Sequence, residues 1–174
     1  SKDNVPLKPK YHLPVSLNGV EKGDFTMVWG YPGSTDRYLC SYGVDFQVKY
    51  FDPNLVRLLG EELSIWKEDM DAAREVGIKY ASKYAGAANG WKYYIGELKG
   101  LKKLNVKGQK EEIEVKFTRW VLQDKARQEK YGNVLRNLET GYGLIGSKFE
   151  PFILAALGAK APEILGFAQS FSQL

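Results

Sequence analysis

One imidazole, His12, and one thiol, Cys40, bound the chemistry this sequence can perform. A Ser-His-Asp or Cys-His arrangement needs an imidazole to take the nucleophile's proton. His12 sits in the strand-like run PKYHLPV and reads as a surface or half-buried structural histidine. Neither residue has a companion at metal-ligand spacing, so no metal site is expected. The carboxylate pairs Glu61-Glu62 and Glu111-Glu112 fall on outward positions of helical patterns, where i, i+4 partners account for them. Ser34, in Pro32-Gly33-Ser34-Thr35, lacks the GxSxG elbow. Gly141-Tyr142-Gly143-Leu144-Ile145-Gly146 matches GxGxxG formally. That fingerprint works where a strand turns into a helix and offers its N-terminus to a pyrophosphate. Here the run follows a helical pattern, so a glycine C-cap and a loop before Lys148 are expected instead. No catalytic residue, metal ligand or cofactor is assigned.

One residue remains with the type and setting for a ligand contact. The stretch KYAGAANGWKYYIG carries Gly86, Gly90 and Gly96 around Asn89 in a pattern that is otherwise helical. Each interior glycine costs roughly 1 kcal/mol against alanine, which suggests that something comes close to this backbone. Ser82, Gly86, Asn89 and Tyr93 are spaced by 4, 3 and 4 and share one face. Tyr80, Tyr84, Ala87, Trp91 and Tyr94 lie on another. Two readings stand side by side. Close helix packing would let Asn89 satisfy a neighbouring backbone group. A ligand contact would use its side-chain carbonyl to accept a hydrogen bond from a positively charged donor, worth roughly 1.5–3 kcal/mol.

The elements that must position Asn89 divide the sequence near residue 50. Before that point YHLPVSL and DFTMVWGYP, bounded by Asn18-Gly19, Lys22-Gly23 and Pro32-Gly33, predict strands joined by turns. Beyond it, Asp52 reads as an N-cap with Pro53 at the first helical position, and Leu55, Leu58, Leu59, Leu63, Trp66 and Met70 keep a helical rhythm. Asp71 would cap a second helix, striped by Val76, Tyr80, Tyr84, Ala87, Trp91, Tyr94, Leu98 and Leu101 and ending near Asn105. A third follows Gly108 through Val121, and a fourth runs from Tyr131 to Tyr142. The tail holds two shorter apolar segments split at Ala161-Pro162. The fold expected is mainly α: a multi-helix lobe over residues 41–174, preceded by a short β segment over residues 1–40.

Charge and length narrow the class further. A length of 174 residues suits one domain, and 44% hydrophobic residues suffice for a core. The 25 basic and 21 acidic residues give a net charge of +4, but the signs are interleaved, so no nucleic-acid partner is expected. No apolar run reaches the 18 or more residues of a membrane span. The proline-rich start reads as an edge strand entered in mid-sheet, which makes the sequence look excised from a longer one.

Three runs carry a family resemblance: DNVPLKPKYHLPVSL (residues 3–17), GDFTMVWGYPGSTDRYLCSYGVD (23–45) and IKYASKYAGAANGWKYYIGELKGLKKLNV (78–106). They resemble the bacterial dipeptidyl-peptidase 7 and 11 family, chymotrypsin-like serine exopeptidases with a large helical domain inserted in the protease fold. The resemblance is strongest in GYPG-T-RY and in YA-xx-xN-x-WK, and beyond residue 110 only helical pattern supports it.

What the resemblance implies is an internal fragment. The strands become the trailing part of a β-barrel, the helices a lobe that caps the active site, and all three triad residues fall outside the sequence. Asn89 matches the asparagine that, in similar enzymes, helps hold the substrate's free α-amino group together with an acidic residue located elsewhere. Gly90, where relatives often carry a bulky aromatic, and Ala87-Ala88 depart from the pattern and alter the local pocket. The implied partners are a peptide N-terminus and the remainder of the parent chain, with a homodimeric parent in the bacterial periplasm or on the cell surface. The isolated fragment would be inactive. The resemblance does not choose between hydrophobic and acidic side chains in the substrate. The competing class is a free-standing helical protein-protein interaction module using Tyr11, Trp29, Tyr93 and Tyr94; flanking gene sequence with a His and Asp upstream and a serine motif downstream would discriminate the two.

Overall fold

The computed structural model describes residues 5–31, 33–158 and 163–171. The chain divides into two compact units, Ser1–Thr35 and Asp36–Leu174. Among its described residues the first holds turns and bends joined by unassigned backbone, with Gly19, Gly23 and Gly30 at positive φ. The strands expected in the β segment do not form among its described residues. A strand needs a neighbour for its N–H and C=O groups. The alternating apolar side chains here find none, since Val15 is 85% and Trp29 93% exposed.

The described residues of the second unit are mainly helical: α1 (Ser41–Phe46), a π-helical turn (Gln47–Phe51), α2 (Asp52–Ala72), α3 (Arg74–Lys103), α4 (Val106–Leu122), α5 (Lys125–Tyr131), α6 (Val134–Ile153), a second π-helical turn (Leu154–Gly158) and α7 (Glu163–Phe171). The mainly α expectation therefore holds for this unit. The sequence-predicted break at Ala161-Pro162 lies outside the described residues.

Three local expectations are corrected. Asp52 is not an N-cap: φ −59° and ψ −46° make it helical, and the helix enters from α1 through the widened turn. Pro53 explains the widening. It has no N–H to give the carbonyl four residues back, and its ring crowds that carbonyl, so the ladder shifts to a looser spacing just ahead of it. The boundary between the first two long helices falls at Ala73, the single extended residue at φ −144° and ψ 119°, rather than at Asp71. Third, residues 141–146 are not a C-cap and loop but the middle of α6. The helix continues because Tyr142, Gly146, Phe149 and Ile153, spaced by 4, 3 and 4, supply an inward face, with the last three buried.

That face builds the core. Leu55, Phe149 and Ile153 are buried together, and Phe46, Phe51, Leu58 and Tyr94 pack around them. Phe149 meets Phe46 edge-on at 5.0 Å and Phe51 at 5.4 Å between ring centroids. Rings at these separations contribute roughly 0.5–1.5 kcal/mol per pair beyond their burial. The cluster joins α1, the π turn, α2, α3 and α6, and fixes the base of the α2–α3 hairpin.

Along the hairpin the two long helices run antiparallel. Leu59 reaches toward Gly90, Val56 meets Trp91, and Trp66 lies 5.7 Å from Tyr80 nearer the turn. The stripe Val76, Tyr80, Tyr84, Ala87, Trp91, Tyr94, Leu98 and Leu101 is half-buried from end to end, as its spacing predicts.

Candidate functional site

The position of Asn89 begins with Trp91. The indole N–H donates to the Val56 carbonyl of α2 at 3.1 Å. Gly60 makes room for the ring, since a Cβ there would lie 3.2 Å from Nε1. This contact sets the rotation of α3 against α2. Two residues back is about 200° around a helix, so Asn89 must face away from α2. It is exposed, and its side chain makes no hydrogen bond to any described residue. Ser82, Gly86 and Tyr93 share this exposed face. No heavy atom of another described element comes within 4 Å of a Cβ built on Gly86 or Gly96, while Gly90 lies in ordinary contact with Leu59 at 3.7 Å. Of the three glycines that break the helical pattern, one serves the hairpin and two face open space.

The same face continues into a cluster the sequence did not reveal. Tyr93 donates its hydroxyl to Glu97 Oε1 at 3.1 Å. Gln47 Nε2, from the π turn, donates to Glu97 Oε2 at 3.3 Å and to Asp52 Oδ1 at 2.8 Å. Asp52 is wholly buried, and its Oδ2 has no hydrogen-bond donor. Burial, then the neighbouring Glu97 carboxylate, raises the Asp52 carboxyl to about 7, only partly opposed by Gln47. The Tyr93 and Tyr94 phenols are likewise pushed up, first by burial and then by Glu97. No basic side chain pairs with Asp52 or Glu97 among the described residues. Local spacing could not have found this pair, because 45 positions separate its members and only the hairpin register joins them.

The residues weighed for catalysis are not assembled into a site. His12 is exposed in the first unit, Cys40 is half-buried, Glu61 of α2 and Glu111 and Glu112 of α4 are exposed, and Glu62, expected on an outward position, is half-buried. Among the described residues no three His, Cys, Asp or Glu side chains gather to hold a metal. Two acids do come together, but the Asp52 carboxyl is shut off from solvent. What the arrangement offers chemically is a rigid helix face carrying an open amide.

Comparison with known proteins gives this face a context. The family description Peptidase S46 matches residues 1–173. The chain belongs to peptidase family S46. Its S46 relatives include Dipeptidyl-peptidase 7 of Porphyromonas gingivalis, 44% identical over 142 residues, which are 82% of this chain and 20% of the relative. The Asp/Glu-specific dipeptidyl-peptidase of Flavobacterium psychrophilum is 45% identical over the same shares of both chains. That of Capnocytophaga gingivalis is 41% identical over 156 residues, 90% of this chain and 21% of the relative. The chain thus spans about a fifth of the length of these S46 relatives, all of them bacterial. No helix among its described residues is long and apolar enough to cross a membrane.

Proposed function

We propose that this chain is the helical cap region of a serine-type dipeptidyl-peptidase that releases dipeptides from peptide N-termini, and that Asn89 receives the substrate's free α-amino group. Residues 1–40 would belong to the protease domain and residues 41–174 to the cap. The triad would come from sequence beyond this chain, in an enzyme of the bacterial periplasm or cell surface.

The observation that supports this reading best is the exposed Asn89 amide on a helix whose rotation is fixed by the Trp91–Val56 hydrogen bond. A side-chain carbonyl accepts from an ammonium donor, and a rigid helix sets the distance from that ammonium to the reacting bond. An enzyme that counts two residues from a terminus needs such a fixed stop. The relatives' names, Dipeptidyl-peptidase 7 and Asp/Glu-specific dipeptidyl-peptidase, agree with the reaction proposed.

The test is Asn89→Ala in the full enzyme. Losing one hydrogen bond to a charged group costs about 2 kcal/mol, so kcat/KM should fall about 30-fold on free-amine substrates. Unchanged kinetics would remove the anchor assignment. The isolated chain should hydrolyse none of these substrates, and turnover by it would refute the division of labour.

A further inference from the structure

We propose that Asp52 and Glu97 share a single proton, forming a buried clasp between the start of α2 and the last third of α3 that opens as that proton is lost. The two side chains bring four carboxyl oxygens together. Gln47 Nε2 supplies one hydrogen to Asp52 Oδ1 and the other to Glu97 Oε2, and the Tyr93 hydroxyl supplies Glu97 Oε1. Three oxygens are satisfied. The fourth, Asp52 Oδ2, is shut off from water and has no donor. A buried acceptor left in this state carries its full desolvation penalty.

One proton on Oδ2 removes the difficulty, because the Asp52 and Glu97 carboxyls already lie together, bridged by Gln47 Nε2. Protonated Asp52 becomes a donor, Glu97 remains the acceptor, and the site holds one negative charge instead of two. Two like carboxylates in a shared site cannot both ionise cheaply, which favours the proton on the wholly buried Asp52. The groups facing Asp52 are Gln47 from the π turn, which only donates, and Glu97, Tyr93 and Tyr94 from α3. No basic side chain pairs with either acid among the described residues.

The direction with pH follows. Unfolded Asp52 returns to its ordinary value of 3.8, whereas in the fold the group sits at about 7. Between those values the folded state binds the extra proton. Stability from the clasp is fully present below pH 3.8 and is lost as pH rises through about 7. Each pH unit inside the window raises the unfolding constant roughly tenfold.

The experiment is a carbon-detected NMR titration of the side-chain carboxyls of the whole chain, paired with urea unfolding from pH 5 to pH 8. His12→Gln is carried throughout, which leaves the chain without an imidazole. The Asp52 carboxyl should move with a midpoint near pH 7, and the unfolding constant should rise about a hundredfold over the range. Asp52→Asn keeps a donor facing Glu97 at every pH and should abolish both effects. Carboxyls that all finish titrating below pH 5.5, or a pH slope unchanged by Asp52→Asn, would overturn the proposal. Should Asp52→Asn fail to fold, the carboxyl titration of the parent chain decides alone.

Discussion

Replacing Gly86 by alanine tests whether the exposed face of α3 is open within the chain and reserved for something outside it. Gly86 lies in a helix interior, and a Cβ built there meets no heavy atom within 4 Å. The substitution therefore adds helix propensity and no clash, a gain of roughly 0.8–1.0 kcal/mol. Gly96 is equally open, and its ten-residue separation from Gly86 is about 15 Å of helix, far enough for the two gains to add to about 2 kcal/mol. At a urea slope of about 1–3 kcal/mol per molar, each single variant should raise the unfolding midpoint by roughly 0.3–1 M. Thermal midpoints should rise about 2–4 °C for a chain of this size. A Gly86→Ala chain no more stable than its parent, or less so, would refute the reasoning. It would mean that some segment packs on this backbone after all. In the longer enzyme proposed above, the same variant should combine higher stability with a raised KM, since the added methyl occupies space beside Asn89 that a ligand would use.

Two further substitutions probe the frame beneath that face. A Cβ on Gly146 would lie 2.8 Å from Tyr50 Cε2 and 3.1 Å from two other ring atoms, so overpacking outweighs the propensity gain and Gly146→Ala should lose about 1 kcal/mol net in urea unfolding. Glu114 of α4 accepts the Ser41 N–H at 2.7 Å and the Ser41 hydroxyl at 2.6 Å, and Ser41 is buried. Glu114→Ala, which strands both donors, should cost about 1–3 kcal/mol by denaturant titration, with Glu114→Gln recovering part of it.

How much of this was legible in the sequence depends on the distance over which each feature is decided. The α3 stripe from Val76 to Leu101 was readable because every member is a helical step from the next, and all eight residues are half-buried. The same periodicity grouped Ser82, Gly86, Asn89 and Tyr93 on one face but left open whether that face packs against a neighbour or stands free. The helix edges were not readable in this way. Pro53 fits a helix start by local rule, yet a widened turn lets helix run into it, and the glycines of 141–146 fit a stop, yet the packing of Phe149 and Ile153 carries α6 past them. The N-terminal alternation had the period of strands, but a strand is a pairing, and pairing is decided by what lies alongside rather than by the segment itself. Gln47, Asp52 and Glu97 were the hardest to foresee, because their proximity depends on the register of α2 against α3.

That register links the two polar features of the hairpin. The Trp91–Val56 contact, with Gly60 giving way to the indole, turns Asn89 out to solvent and helps hold the antiparallel alignment in which Glu97 lies beside Asp52. One rotation of α3 thus leaves an amide without a partner on the outside and a carboxyl oxygen without a donor on the inside. Their physical situations are opposite. Water satisfies Asn89 at little cost until a stronger donor displaces it, so its exposure is compatible with any state of the helix pair. Asp52 has no water to turn to, and its remedy must be a proton or a separation of the helices. A change that loosens the clasp therefore acts on the outward face as well, through the alignment of one rigid helix, without touching Asn89 itself.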